Sequence, residues 1–518
     1  MSRLVALGLL LATPALAGTC DDPFADDGQN LELHLRLDRA TWDALRLEKN
    51  PGLACDLNYT TREVEFRCGD SEPWLRIGAR HKRGDQRGVD APEKPPLKLD
   101  FNFAVKGQRW PAAAKDLGLR KLTLNNGQAN LRGGVLPALI AEGVAWRVMN
   151  EVLAVTSRVA WARLFVHFTD GGVEQVEYRG LYVVIEDLDR TAMRGRLGSG
   201  CGALLKTTTG RCRDEVDFDD GAPNDARGPW DTWMTASPGP DWATVSEGAF
   251  DLESLITQEA ARDILGNGRD AVMGDLYNNY YRLEPRTGRA VFAPWDLDWA
   301  FDVYPLEVPP GTGFEPSCSP IGLKTRCHPA LRKRYFERAC ELMRGPLNEA
   351  RLLEHWHAVD AQLRPFVRDE SAAVWGGTDP LEASVTGSYQ ASLERMEWWL
   401  PQHLSALRAA ARREGVTCEA SCEEGASQAC SRAACAGTAT CTNGRWSPCA
   451  VPSSAEVCNG TDDDCDGVID EGCDLPKETC AQGAVAPRPN VSSCGCSQGD
   501  GVIAIALFLW GRRRLQPR

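Results

Sequence analysis

Basic charge is scarce in this chain of 518 residues: 58 lysines and arginines stand against 72 aspartates and glutamates, a formal net charge of -14 at pH 7. Contacts to a phosphate backbone need a basic surface, so nucleic acid is excluded as a partner, whereas a soluble protein or a cation binder suits the acidity. Long apolar runs are also lacking near the C-terminus. Val502 to Trp510 is apolar but far shorter than the ~20 residues that cross a bilayer. There is no HExxH pair, no Walker loop and no Gly-x-Ser-x-Gly elbow. Gly198-Ser199-Gly200 is too short to count, which leaves a hydrolase with little support. His355 and His357, in EHWHAVD, point away from each other on a helix and read as ordinary helix residues, not metal ligands.

Apolar and aromatic mass is abundant. Hydrophobic residues make up 43% of the chain and tryptophans number 16, enough for a large core, and the length allows two to four domains. Twenty cysteines fit an oxidising compartment, where disulfides persist. Eight lie from Cys20 to Cys340 and twelve from Cys418 to Cys496, so a globular body is followed by a tail that bridges must hold. Near neighbours suggest Cys55 with Cys68, Cys201 with Cys212, and Cys318 with Cys327. Met1 to Ala17 has one basic residue, Arg3, an apolar run from Leu4 to Ala12, and Ala15-Leu16-Ala17. It reads as a secretory signal cleaved after Ala17. Cys20 invites a lipoprotein reading, but Thr19 stands where a small Gly or Ala is wanted, which favours ordinary cleavage.

Along the chain, Leu31 to Leu37 alternates apolar and polar residues, the pattern of a half-buried strand. Trp74 to Arg80, the loop HKRGDQRG and Pro96 to Phe103 read as strand, glycine-containing loop, strand. Gly84 and Gly88 would let backbone amides approach phosphate, with a lysine on the next strand neutralising it; a plain surface turn has the same composition. Val135 to Leu153 is helical, with Leu136, Leu139, Ile140, Val144, Val148 and Val152 on one face. Arg158 to Phe168 and Val173 to Ile185 form a hairpin across Thr169-Asp170-Gly171-Gly172. Asn224 to Asp241 reads as a loop insertion. Leu252 to Leu265 is a helix capped by Asp251. Arg332 to Arg344, Leu347 to Phe366 and Leu381 to Ala411 are helical by period.

Chemistry concentrates in Ile264 to Phe301. There an acid, Asp270, precedes the amides Asn278 and Asn279, and after the hairpin-like turn EPRTGR come Asp296 and Asp298. Carboxylates and an amide at a strand-turn-strand suit Mg²⁺, which takes oxygen ligands and keeps the rest of its shell for water and phosphate. A solvated loop with a surface hairpin is the bland alternative.

The order GNxxD, NNYY, PWDLDxxF, preceded by GLYVVIEDLD at Gly180 to Asp189, resembles the CotH (spore coat protein H) kinase family, a secreted branch of the atypical protein kinases, over roughly Leu31 to Leu407. LTLNNGQANLR, from Leu122 to Arg132, is similar to the family's LNN…LR segment, and Ala203 to Lys206 to its LYK strand. The resemblance implies an α+β, atypical protein-kinase-like two-lobed fold: a β-rich N-lobe over about 30–189 and a helical C-lobe over about 190–412, followed by a disulfide-rich tail. It also implies ATP with Mg²⁺ or Mn²⁺. Lys94 matches the family's lysine better than Lys98, and both stand, with Lys206 as a further basic candidate. Glu142 would pair with a strand lysine or face solvent. Glu186 lies in VVIEDLD, which is similar to the linker that contacts adenine through its backbone. Asp270 fits the catalytic aspartate, with Asp275 a competitor because the spacing to Asn279 is about one residue long. Asn279 and Asp298 would hold the metal, and Asp296 would be a second ligand or orient the first.

Composition shifts after Gly415, so 413–480 reads as a Cys-rich region. Its segment 457–473, VCNGTDDDCDGVIDEGC, resembles the acidic CNGxDDDCDGxxDE repeats, of MopE type, in secreted myxobacterial-type proteins. Spacing alone sets Asp462, Asp464 and Asp466 at positions one, three and five of a calcium loop, Gly467 at six and Asp470 at nine. Cys473 replaces the usual glutamate at twelve, with Glu471 the substitute; an acidic disulfide knot without an ion is the alternative. Residues 481–518 form a linker and an end, CGCSQGDGVIAIALFLWGRRRLQPR, that resembles the MYXO-CTERM sorting tail. This implies envelope or membrane association. The expected function is a secreted or cell-surface atypical kinase acting on Ser or Thr hydroxyls of surface or coat proteins. The alternatives are an inactive nucleotide-binding scaffold with a calcium-binding tail, and phosphoryl transfer to a sugar or small molecule.

Overall fold

The computed structural model of the chain describes residues 20–48 (without 22, 25–27 and 29), 59–82, 94–111, 118–127, 136–189, 191–193, 203–207, 233, 236–266, 279–283, 289–298, 300–302, 328–370, 389–418 and most of 422–451. Strands with apolar residues at every second position build its first half. They are β1 (Leu31–Leu37), β2 (Arg62–Cys68), β3 (Leu75–His81), β4 (Leu97–Asp100), β5 (Lys121–Asn125), β6 (Val159–Phe168) and β7 (Gln175–Glu186). They close into a barrel in the order β1-β2-β3-β4-β5-β7-β6. Every pair is antiparallel except β1 with β6, whose parallel register runs from Leu31 opposite Ala162 to Leu37 opposite Phe168.

Period two decides which side chains fill the barrel. Leu33, Leu35, Phe66, Ile77, Leu97, Leu99, Leu122, Leu124, Val166, Tyr182 and Val184 share one interior core, each buried aliphatic or Phe side chain being worth about 1.5–3 kcal/mol. The β6–β7 hairpin expected at Thr169–Gly172 is present. Its turn uses φ 76° at both Gly171 and Gly172, a left-handed conformation that only glycine adopts freely. A helix the sequence does not announce, α1 (Arg39–Arg46), starts where the Asp38 carboxylate accepts from the Thr41 amide at 2.6 Å.

Helix α2 (Leu136–Val152) follows the expected span within a residue at either end. Ile140, Val144, Trp146, Val148 and Met149 are all buried. A helix apolar on more than one side needs a partner on each. Here those partners are the outward-facing Trp161, Leu181, Val183 and Ile185 of the barrel wall, together with the later helices, all in one second core. Those helices are α3 (Trp242–Ala249), α4 (Leu252–Ile264), α5 (Pro329–Arg344), α6 (Glu349–Leu363), the short α7 (Val367–Glu370) and α8 (Tyr389–Arg413). Asp251 caps α4 as expected, accepting from the Ser254 amide at 3.1 Å.

A second antiparallel sheet joins β8 (Ala203–Thr207), β9 (Asn279–Leu283) and β10 (Ala290–Pro294) in the order β10-β9-β8. The strand-turn-strand expected around EPRTGR is this β9–β10 hairpin. The described residues are therefore mixed α and β, with a seven-stranded barrel and eight helices.

One disulfide expectation is corrected. Cys68 bonds Cys20, not Cys55, because the N-terminal segment, remote in sequence, lies over the end of β2, while Cys55 is outside the described residues. The expected pairs Cys201–Cys212 and Cys318–Cys327 also fall outside them. Cys340 on α5 bonds Cys418 just beyond α8. In the tail, β11 (Ser427–Arg432), β12 (Cys435–Thr442) and β13 (Arg445–Trp446) make a small sheet tied by Cys422–Cys441 and Cys430–Cys449. The acidic repeat and the C-terminal end lie outside the described residues.

Candidate active site

The same alternation that fills the barrel turns the opposite residues of β3, β4, β5 and β7 to its outer side, where α2 packs on β6 and β7. Strand register aligns them: Arg80 faces Lys98, Lys98 faces Thr123, and Thr123 faces Ile185. One step further along, the Lys82 amide donates to the Pro96 carbonyl at 2.8 Å, while Asn125 faces Val183. The barrel wall thus presents Lys82, Lys98, Thr123 and Asn125 on one side, with Asp187 just beyond the end of β7.

Acids come to this wall from two other elements. α2 brings Glu142, fully buried, whose Oε2 accepts from the Asn125 amide at 2.7 Å. The segment after β10 brings Asp296, whose Oδ1 lies 3.6 Å from the Lys82 ammonium. Burial pulls Lys82 down, but Asp296, Glu142, Asp298 and Asp187 outweigh it and hold the ammonium above the ordinary lysine value. Burial also pushes the Glu142 carboxyl up to about 7, with Asp296 adding to the rise, against the pull of Lys82 and the Asn125 hydrogen bond. Asp187 goes the other way. Its burial is overcome by Lys98, 2.6 Å from Oδ2, and by Thr123, which donates to Oδ1 at 2.6 Å, so its carboxyl sits below the usual range.

Two ammoniums and four carboxyls in a poorly solvated place leave an excess of negative charge. Burial is the main cause of the raised Glu142 carboxyl, with Asp296 adding to it, and a divalent cation would relieve the excess. Among the described residues no group of three or more His, Cys, Asp or Glu side chains is arranged to hold a metal ion. An ion shared with nucleotide phosphates does not require one, because Mg²⁺ is often held by one or two carboxylates, the rest of its shell being water and phosphate. Asp296 and Asp298 supply that number.

The segment carrying these acids is held in an unusual shape. Asp296 and Phe301 have φ of 61° and 63°, each in the left-handed region that costs a non-glycine residue about 1–2 kcal/mol. Such conformations persist where the surroundings over-determine them, often at functional sites. Trp295, directly before Asp296, packs edge-on against Trp146 of α2 at 6.2 Å, so the acid segment and the helix carrying Glu142 touch.

The residues singled out in the sequence are distributed as follows. Asp296 and Asp298 meet the basic wall. The β9–β10 register sets Asn279 opposite Pro294 and beside Thr207 of β8, with Lys206 opposite Tyr280; the side chains of Asn279 and Lys206 lie outside the described set. Lys98 is paired to Asp187. Lys94 is buried, its Nζ 5.2 Å from the centre of the Tyr182 ring and its carbonyl accepting from Asn126 at 2.7 Å. Neither is the lysine at Asp296. That lysine is Lys82, the second residue of the stretch HKRGDQRG. Glu186 gives its carboxylate to Arg158 at 2.9 Å. His355 pairs with Glu151 at 2.7 Å and His357 with Glu397 at 3.7 Å, consistent with ordinary helix residues. Gly84, Asp270, Asp275, Asp462, Asp464, Asp466 and Asp470 lie outside the described residues.

No curated protein matches the chain at a significant level. A family model described as CotH kinase protein matches residues 90–407, more than half of the chain and including Glu142, Asp187, Asp296 and Asp298. The chain belongs to the CotH kinase family.

Proposed function

We propose that the protein is an exported atypical kinase of two-lobed, kinase-like build that transfers the γ-phosphoryl group of ATP to Ser or Thr hydroxyls of surface or coat proteins. The observation that carries this reading is the meeting of Lys82, Glu142, Asp296 and Asp298, which come from three separate places in the chain. Lys82, held charged by its neighbours, neutralises phosphate oxygens, and Glu142 with Asn125 keeps the ammonium in place. Asp298 and Asp296, with Asn279, would hold Mg²⁺ or Mn²⁺; a bound divalent ion supplies neutralisation of charge on the β- and γ-phosphate oxygens. Asp270 accepts the proton of the acceptor hydroxyl and aligns it for in-line attack. Lys98 adds positive charge on the same wall, and Lys206 of β8 is a further basic candidate.

Four disulfides among the described residues support an oxidising compartment, and with it the signal segment Met1 to Ala17. Anchoring is assigned to the C-terminal end and calcium binding to Asp462, Asp464, Asp466 and Asp470. No described helix is long and apolar enough to cross a membrane. The test is incubation of the full chain with γ-labelled ATP, Mg²⁺ or Mn²⁺ and a Ser/Thr-containing acceptor protein. Label that appears and is lost in Asp270→Ala and Asp298→Ala supports the kinase. Tight nucleotide binding without any transfer supports an inactive scaffold.

A further inference from the structure

Two residues at the end of α4, Arg262 and Leu265, meet the acid-bearing segment at its two ends. The Arg262 side chain is fully buried and its Nη2 donates to the Trp295 carbonyl at 2.8 Å, one residue before Asp296. At the far end the Phe301 amide donates to the Leu265 carbonyl, and the Phe301 ring stands edge-on to Trp356 at 5.4 Å. These two grips fall where φ is left-handed, at Asp296 and Phe301.

The turn of α4 between the two grips is itself fixed. Asp263 accepts from the Tyr335 hydroxyl through its carboxylate, and its carbonyl accepts from Nε2 of the buried His403 at 2.8 Å. The His403 ring in turn stacks on Trp399, with centroids 4.0 Å apart. A fully buried guanidinium is costly to desolvate and is retained where its hydrogen bonds have a structural consequence.

We infer that Arg262 is a positioning residue: through the Trp295 carbonyl it holds the start of the acid-bearing segment in the conformation, with Asp296 at φ 61°, that sets Asp296 and Asp298 against Lys82. This deepens the metal role proposed above for those two acids and rests on it. Arg262 reaches backbone, not nucleotide, so it sets how well the acids are presented to a cation. Lysine keeps the charge but not the planar fork, and methionine keeps only the volume.

The experiment uses the full chain with Arg262→Lys and Arg262→Met. Two readouts are taken: amide hydrogen exchange of peptides covering 295–302, and binding of Mn²⁺, alone and with ATP, by electron paramagnetic resonance. Exchange in Arg262→Met is expected to quicken about tenfold over 295–302 with β1–β7 unchanged, and half-saturating Mn²⁺ to rise about tenfold, with Arg262→Lys between it and the parent. Parent-like exchange and Mn²⁺ affinity in both variants would overturn the inference. If Arg262→Met does not fold, Arg262→Lys decides by the same pair of readouts. A parent chain that binds no Mn²⁺ refutes the metal role of Asp296 and Asp298, while the exchange result, which needs no metal, still decides whether Arg262 holds the segment.

Discussion

Lys82 stands among carboxyls from three other segments, and removing it leaves Glu142 and Asp296 with less compensation in a dry place. Lys82→Met is expected to weaken MgATP binding at least tenfold, measured by titration calorimetry; an unchanged affinity would assign the phosphate contact elsewhere. Glu142 makes a pH prediction. Its folded value, about 7, lies above the ordinary 4.5, so its contribution to stability is full below about pH 4.5 and is lost as pH rises through 7. Glu142→Gln should therefore flatten the stability curve between those values, seen in urea melts at stepped pH; an unaltered slope would show that Glu142 ionises normally. His403 works in the opposite sense. Burial holds it at about 4 against the ordinary 6.5, so its contribution is full above pH 6.5 and is lost as pH falls toward 4. His403→Gln should reduce the acid sensitivity in that window.

At the scale of elements, α2 is fastened at several points. The Trp161 indole donates to the Leu139 carbonyl at 3.1 Å, the Arg147 guanidinium lies 4.7 Å from the centre of the Trp161 ring, and Glu151 binds both His355 at 2.7 Å and Arg351 at 3.0 Å. The Trp161 ring also occupies the space where a side chain at Gly143 would be: an added Cβ would sit 1.9 Å from it. Gly143→Ala is expected to cost about 1–3 kcal/mol or more, read as a lower denaturant midpoint, and to weaken nucleotide binding because the neighbouring Glu142 shifts. A stable variant with normal binding would mean the helix yields freely. The elements were largely legible in the sequence, since β1, β3, β6, β7, α2 and α4 follow apolar periodicity and local caps. The lysine beside Asp296 was not. Lys82 follows Ile77 and Ala79, which face the barrel interior, and the period from β3 puts it on the outer face. Yet it sits in RHKRG, which reads as a solvated turn, and only the strand register reveals that Asn125, Lys98 and Thr123 share its wall.

For the whole molecule, two cores meet at the barrel wall: the barrel interior, and the packing of α2 with the later helices on the barrel's outer face. The Cys340–Cys418 bond spans a sequence separation of 78 and ties the helical end to the start of the Cys-rich region. Replacing both cysteines by serine should lower stability by about 4 kcal/mol through the larger entropy of the unfolded chain; a melting temperature identical to the parent's would show that the bond adds nothing. Long-range pairings such as Cys20 with Cys68 were hidden from the sequence because proximity in space depends on where the N-terminal segment lies, not on spacing along the chain. The acids of PWDLD were visible by type and order, whereas their meeting with β3 depends on the assembled barrel. The most direct measurement compares phosphoryl transfer from γ-labelled ATP by the parent chain, Lys82→Met, Asp298→Asn and Lys94→Met. Transfer by the parent that falls at least a hundredfold in the first two variants and less than tenfold in Lys94→Met is the expected result. Full transfer by Lys82→Met or Asp298→Asn would contradict the assignment of this cluster as the catalytic site.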